Sequence, residues 1–158
     1  MNIINIATKS GKKYGIGKLK AGDYQYEDRQ YQFDYIPDEL KDCIHIKTHG
    51  NDKMLSEDEE CVTFEVDEPI DVYVLYPDKQ PELPKWLEGF EPMRLKVTRI
   101  DSMCNNLKGY FGIYKKTFPK GIVTLYGCSP NKMLNEEWYV DSNGANYCMY
   151  SFGVKPVK

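Results

Sequence analysis

Short segments in which apolar and polar residues alternate recur along most of the chain. Alternation with a period of two over four to eight residues predicts a half-buried β-strand. In CVTFEV, for instance, Val62, Phe64 and Val66 fall on one face. The clearest examples are YQFDYI at 31–36, CIHIKT at 43–48, CVTFEV at 61–66 and MRLKVTRI at 93–100. These segments are predicted to be strands with one face in a core and the other in solvent.

Three further segments are apolar on both faces. They are DVYVLY at 71–76, GIVTLYG at 121–127 and NYCMYSFGV at 146–154. Continuous apolar runs of this kind are typical of strands that are covered on both sides. We therefore predict that these three segments are central strands.

Turn residues separate the predicted strands. The stretch FPKG at 118–121 has proline and glycine where a type I turn prefers them. Asn143-Gly144 predicts a type I′ hairpin turn between EEWYVD at 136–141 and ANYCMY at 145–150. Ser10-Gly11 is predicted to turn a first hairpin, and Pro37 to begin one helical turn over PDELKD.

Length and strand number together predict the fold. The chain has 158 residues, which suits one domain with a sizeable core. About ten short strands separated by turns predict an all-β, antiparallel β-sandwich of jelly-roll type. The single domain is expected to span residues 1–158, with a C-terminal hairpin at 136–153 and at most one short helical turn.

Charge and composition exclude several classes of function. The net charge is −3 and the basic residues are not clustered, which argues against a partner that is nucleic acid or an anionic membrane. No apolar run approaches the roughly 20 residues of a membrane span. No signal peptide is visible, so we expect a cytoplasmic protein if the chain is full length, and an extracellular one if a signal peptide was removed.

The five cysteines are scattered and form no CxxC motif, so neither a zinc site nor a thioredoxin-like site is predicted. Reduced thiols, some of them buried, are the expectation for a cytosolic protein. In an exported protein they would form at most two disulfides. The residues are Cys43, Cys61, Cys104, Cys128 and Cys148.

Several short motifs follow one another in a set order between about residues 23 and 127. They are Asp28-Arg29, Pro37 and Leu40 ahead of Ile44 and Ile46, Asn51-Asp52-Lys53, VYVLY at 72–76, Asp78-Lys79, Pro84-Lys85-Trp86-Leu87, FPKG at 118–121 and Val123-Thr124-Leu125. This ordered set resembles an accessory β-sandwich module of secreted bacterial polysaccharide-degrading proteins, including pectate-lyase-like ones. The resemblance implies a non-catalytic module that binds carbohydrate. Lys79 and Tyr126 depart from it, since the module usually has arginine and glycine there.

The candidate ligand-binding residues are Trp86, Tyr76, Asp78 and Lys79, which lie in one strand-and-loop unit. Aromatic rings suit the C–H face of a sugar, and charged groups suit its hydroxyls. Lys79 would orient a diol less tightly than the planar fork of an arginine. The alternative is that Trp86 is a plug at the end of the core, beside Leu87 and Phe90, and the common burial of such residues favours it.

Other groups of residues have plainer explanations. Trp138 and Tyr139 would form either a second aromatic platform or a cross-strand packing pair. The oxygen-rich stretches 51–52 and 57–60 fit no calcium-binding loop and are expected to be solvated. His45 and His49 are too far apart on a strand to bind one metal ion, and His45 is expected to face solvent.

No cofactor, metal site or enzyme motif is predicted, because GxSxG, HExxH and P-loop patterns are missing. Two hypotheses follow. The first is a non-catalytic module that recognises a glycan through an aromatic face. The second is a structural or assembly protein that docks on protein partners in an intracellular filament or particle, for which exposed tyrosines are suited.

Overall fold

The structure, a computed structural model, describes residues 1–141 and 147–157; the side chain of Asp141 is not described. Ten strands lie within this part of the chain. They are β1 Ile3–Thr8, β2 Gly15–Lys18, β3 Tyr31–Tyr35, β4 Ile44–Lys47, β5 Glu60–Val66, β6 Ile70–Pro77, β7 Glu91–Asp101, β8 Leu107–Phe118, β9 Gly121–Tyr126 and β10 Ser151–Pro156.

Helical elements are short but more numerous than the single turn that the sequence predicts. The 3₁₀ turns are Asp38–Leu40, Gly50–Met54, Lys85–Gly89 and Ser102–Cys104, and the helices are α1 Asn131–Leu134 and α2 Glu137–Asp141. The first of these turns follows Pro37, as predicted. None of the described helices has the length and apolar character that crossing a lipid bilayer requires.

The strands form two sheets, and the pairings within both are antiparallel. A three-stranded sheet has the order β1-β5-β9, and a seven-stranded sheet has the order β2-β4-β10-β6-β8-β7-β3. The predicted all-β sandwich is confirmed, whereas its assignment to the jelly-roll type stays a prediction. The turns at Ser10-Gly11 and at 118–121 each join one sheet to the other, so neither closes a hairpin.

Strand β6 is buried along its whole length because its two faces belong to two different cores. Val72, Val74 and Tyr76 lie in the core between the sheets, which also contains the inward-facing residues of β5 and β9. Tyr73 and Leu75 lie in a second core on the other face of the seven-stranded sheet, together with side chains that include Phe33, Leu40, Val97 and Phe111. The prediction that DVYVLY is a central strand is therefore confirmed.

Two other predicted strands differ from the structure. GIVTLYG forms β9, which lies at the edge of the three-stranded sheet, and Ile122 is 71% exposed there. EEWYVD forms the helix α2 instead of the first strand of a C-terminal hairpin. The predicted turn at Asn143-Gly144 lies outside the described residues. The predicted central strand NYCMYSFGV at 146–154 is confirmed only in its second half. There β10 begins at Ser151 and lies between β4 and β6.

His45 is buried, so the expectation that it faces solvent is wrong. It lies on β4 between Gly17 of β2 and Gly153 of β10, and its ring meets Phe33 edge-on at 5.4 Å between centroids. The second core covers this face of β4, while Ile46 on the opposite side belongs to the first core. Burial, with a smaller effect of Lys47, lowers the pKa of His45 to about 3. Neither ring nitrogen has a hydrogen-bond partner among the described residues.

The five cysteines are all unpaired thiols. Cys43, Cys61 and Cys128 are buried, and burial raises the pKa of the Cys43 thiol to about 12. These three residues therefore fill core space as small apolar side chains.

We expect His45→Leu to leave the free energy of unfolding unchanged or to raise it at neutral pH. Leucine has a similar volume and removes two buried nitrogens without partners. As the pH falls from 6.5 towards about 3, the unfolded histidine takes up a proton that the folded one does not, so the wild-type protein loses stability. That loss is at most about 1.4 kcal/mol per pH unit, and the variant lacks it.

Urea denaturation over this pH range measures the difference. The control is His45→Gln, which flattens the pH dependence in the same way but stays less stable than His45→Leu at every pH, because it keeps a buried polar group. Equal pH dependence in the wild type and in His45→Leu would contradict the buried, neutral histidine.

Candidate ligand-binding site

A cavity of about 270 Å³ opens at one end of the seven-stranded sheet. We call it the sheet-end cavity; it is lined from β3, β6, β7, β8 and the segment before β10, by residues that include Tyr31, Pro77, Arg99, Tyr110 and Cys148. The antiparallel register brings these residues together, because β6 and β7 end where β8 and β3 begin. The cavity thus rests on paired strands and not on a long loop.

Three aromatic residues line the sheet-end cavity. Tyr31 is half-buried and Phe111 is buried, and the rings of both lie beside the guanidinium of Arg99. Tyr110 is 52% exposed, but it alternates with Gly109 and Phe111 along β8, so its side chain lies on the other face of the sheet from Arg99. The Tyr31 ring is therefore the aromatic surface that a ligand beside Arg99 can reach most readily.

Arg99 is half-buried in the cavity wall and is held by neutral groups. One terminal nitrogen, Nη1, donates to Oε1 of Gln25 at 3.1 Å, and Nη2 donates to Sγ of Cys148 at 3.0 Å. Its Cζ lies 3.9 Å from the centroid of the Tyr31 ring. Across the strand pair stands Gly109, where a Cβ would come within 2.7 Å of Nε of Arg99. The glycine thus makes room for the guanidinium group.

The two carboxylates of the cavity are already engaged. Asp78 accepts hydrogen bonds from Nζ of Lys96 at 2.8 and 2.9 Å, and Asp101 accepts one from the backbone N–H of Met103 at 3.0 Å. Lys79 is exposed and has no ion pair among the described residues. The charged groups left open to a ligand are therefore mainly cationic.

The structure separates the four predicted site residues into two pairs. Asp78 and Lys79 line the sheet-end cavity. Tyr76 is buried, and its hydroxyl donates to the carbonyl of Cys128 at 2.7 Å. The prediction that Tyr76 offers its ring to a ligand at the surface is therefore wrong. The reason is the alternation along β6, which directs Tyr76 into the core between the sheets.

Trp86 fits the plug better than the platform. It is half-buried in the 3₁₀ turn Lys85–Gly89 and packs against the core between the sheets. Its indole N–H donates to the carbonyl of Gly127 at 2.9 Å, and its ring lies 5.6 Å from that of Phe90 and 5.4 Å from that of Tyr150. The indole is thus fixed by contacts on several sides.

The acidic loop at 56–60 forms hydrogen bonds to the turn that carries Trp86 and to the helix α1. Glu57 accepts hydrogen bonds from the backbone N–H of Lys85 at 2.7 Å and of Asn131 at 2.6 Å. Asp58 forms an exposed ion pair with Lys85 at 2.7 Å. The loop therefore fixes the beginnings of the Trp86 turn and of α1, and is not merely solvated.

Two motifs of the sequence resemblance meet in space. Asp28 accepts hydrogen bonds from the backbone N–H groups of Gly50 and Asn51, at 2.6 and 3.1 Å, and Arg29 donates to the Asn51 side chain at 2.7 Å. Burial acts to raise the pKa of Asp28, but these N–H groups outweigh it and the pKa is lowered. These residues clamp the turn Gly50–Met54, and across the described chain no three His, Cys, Asp or Glu residues are grouped as for a metal ion.

The second aromatic candidate is only partly exposed. Trp138 is 51% exposed on α2, whereas Tyr139 is buried with its hydroxyl 2.8 Å from Oγ of Ser129. The two are not cross-strand partners, because α2 is a helix. Trp138 as a binding platform stays a prediction.

The sequence did not point to Tyr31, Arg99 or Tyr110 as site residues. No motif contains them, and they lie on three different strands whose pairing only the fold reveals. One local signal exists, since glycine inside a strand, here Gly109, often marks a close approach of another group.

Comparisons with known structures find the same fold in parts of two larger enzymes. Neither a family model nor a curated protein matches the sequence. A β-glucuronidase from glycoside hydrolase family 2 has a TM-score of 0.73 and 18% identity, over 97% of this chain and 14% of its own. A GH138 enzyme targeting pectin rhamnogalacturonan II has a TM-score of 0.56 and 14% identity, over 98% and 16%. The chain thus spans about a seventh of each enzyme and shares their fold over that part. The pectate-lyase-like context stays a prediction.

We expect Trp86→Ala to lower the free energy of unfolding by about 2 to 3 kcal/mol, because it removes the ring contacts and the bond to Gly127 together. Trp86→Phe keeps most of the ring contacts and should lose only about 1 kcal/mol. Chemical denaturation measures both values. If Trp86→Ala is as stable as the wild type, the indole does not act as a plug.

Proposed function

We propose that this domain is a non-catalytic module that binds saccharides in the sheet-end cavity. The observation that carries the proposal is the placement of the half-buried Tyr31 ring beside the guanidinium of Arg99, with the exposed Lys79 lining the same cavity. A sugar ring needs both an apolar surface for its C–H face and charged or planar groups for its hydroxyls. The cavity supplies both within one small volume.

Size and rigidity support a small ligand. Small-molecule sites begin at roughly 300 Å³, so a cavity of about 270 Å³ suits one or two sugar residues at the end of a longer chain. Gln25 helps to fix Arg99, and its Nε2 donates in turn to Oγ of Ser151 at 3.1 Å. Groups that are positioned before binding lose less conformational entropy when a ligand arrives.

Two observations support a binding role over a catalytic one. Glycoside hydrolysis uses a pair of carboxyl groups free to act on the sugar, whereas Asp78, one of the two carboxylates that line the cavity, is held by Lys96. The chain also corresponds to a small part of two carbohydrate-active enzymes, which suits an accessory domain. The resemblance to accessory modules points in the same direction.

Docking on protein partners, as in a structural or assembly protein, stays the alternative prediction. The observation in its favour is the exposure of Ile4 and Ile16 on β1 and β2, edge strands of the two sheets. Light scattering separates the two hypotheses, since the binding module is expected to remain a monomer that binds sugars.

We expect Tyr31→Ala to weaken saccharide binding about fivefold, because the mutation removes the aromatic surface beside Arg99. The matched control is Tyr35→Ala, since Tyr35 is 53% exposed on β3 but lies outside the cavity. Isothermal titration calorimetry with a panel of mono- and oligosaccharides measures both variants.

The proposal fails if the wild-type protein binds no saccharide at millimolar concentrations. It also fails if Tyr31→Ala and Tyr35→Ala bind as tightly as each other.

A further inference from the structure

The guanidinium of Arg99 has no carboxylate partner among the described residues. Its bonds go to the neutral amide of Gln25 and to the thiol group of Cys148, and its flat face lies on Tyr31. An arginine side chain carries five N–H groups, of which these bonds use two. A half-buried charge without an opposite charge is unfavourable, so such an arrangement on a cavity wall indicates an anionic ligand.

The other charged side chains of the cavity leave its net charge positive. Lys79 also lacks an ion pair, and Lys108 lies 3.5 Å from a carboxylate oxygen of Asp34, outside the cavity. The carboxylates that do line the cavity are held by Lys96 and by the backbone of Met103. Among the described residues, a ligand that enters therefore meets two cations without an ion pair, Arg99 and Lys79, against one carboxylate without an ion pair, Asp101, so the local charge is positive in a protein whose net charge is −3.

We propose that the sheet-end cavity selects acidic saccharides, with the carboxylate of a uronic acid residue paired to Arg99 and assisted by Lys79. This inference rests on the proposed saccharide binding and adds the chemical class of the ligand. The planar fork of arginine matches two carboxylate oxygens, which favours a carboxylate over other anions. The sugar ring attached to that carboxylate would lie beside Tyr31, whose ring contacts the guanidinium.

The test compares sugars that differ only in charge. Calorimetric titrations use galacturonate against galactose and glucuronate against glucose, as free sugars and as short oligosaccharides, at equal pH and ionic strength. We expect each uronate to bind about tenfold more tightly than its neutral counterpart. The preference should shrink when the salt concentration rises from about 0.05 M to about 0.5 M, because salt screens the charge interaction.

Variants assign the preference to the two cations. Arg99→Gln should abolish it, and Arg99→Lys should restore it only in part, because lysine lacks the fork. Arg94→Gln is the matched control, since Arg94 is an exposed arginine on the same strand, outside the cavity. Lys79→Gln changes an exposed residue of the cavity, so it should reduce the preference with little effect on the fold. Thermal melting of each variant checks that it is folded.

The outcomes separate this inference from the proposed function. Equal binding of uronates and neutral sugars, or an unchanged preference in both Arg99→Gln and Lys79→Gln, overturns the acidic ligand but leaves saccharide binding intact. Binding of no saccharide at all overturns both. Tighter binding of sulfated than of carboxylated sugars overturns the carboxylate assignment.

Discussion

The burial of β6 on both faces is the constraint on which the rest of the structure depends. Eight consecutive residues without an exposed face require a core on each side of the seven-stranded sheet. The second core is what buries His45 and Phe33 together, and it fixes β8 beside β6 and β7 beside β8. Where β6 ends at Pro77, the chain emerges with Asp78 and Lys79 at the rim of the sheet-end cavity.

The guanidinium of Arg99 in the cavity wall lowers the stability of the fold. A guanidinium that packs on an aromatic ring and bonds only neutral groups stabilises the fold less than an apolar side chain of the same size would. Arg99 nevertheless lies at the point where β3, β7 and β8 meet, and Gly109 leaves space for it. The simplest physical explanation is that the missing negative charge comes from the ligand. The Tyr31 ring beside Arg99 then offers such a ligand an apolar surface as well.

The sequence predicted the features that depend on local pattern. CVTFEV and DVYVLY form β5 and β6 because their apolar residues follow the period of a strand, and Pro37 begins a helical turn because its φ angle suits that position. The prediction that His45 faces solvent was wrong, because the alternation of residues along β4 does not show that a second core covers the outer face of the strand. Asp78 and Lys79 lie at the cavity because residues after a central strand reach a sheet end. Tyr31 and Arg99 were missed because only tertiary pairing brings them there.

Mapping amide chemical shifts during a titration with a uronate tests the central claim most directly, since it locates the ligand without any mutation. The account predicts that the shifts concentrate on Tyr31, Lys79 and Arg99, and leave β1 and β2 unchanged. Shifts centred on Trp138, or on the exposed edges of β1 and β2, would contradict it.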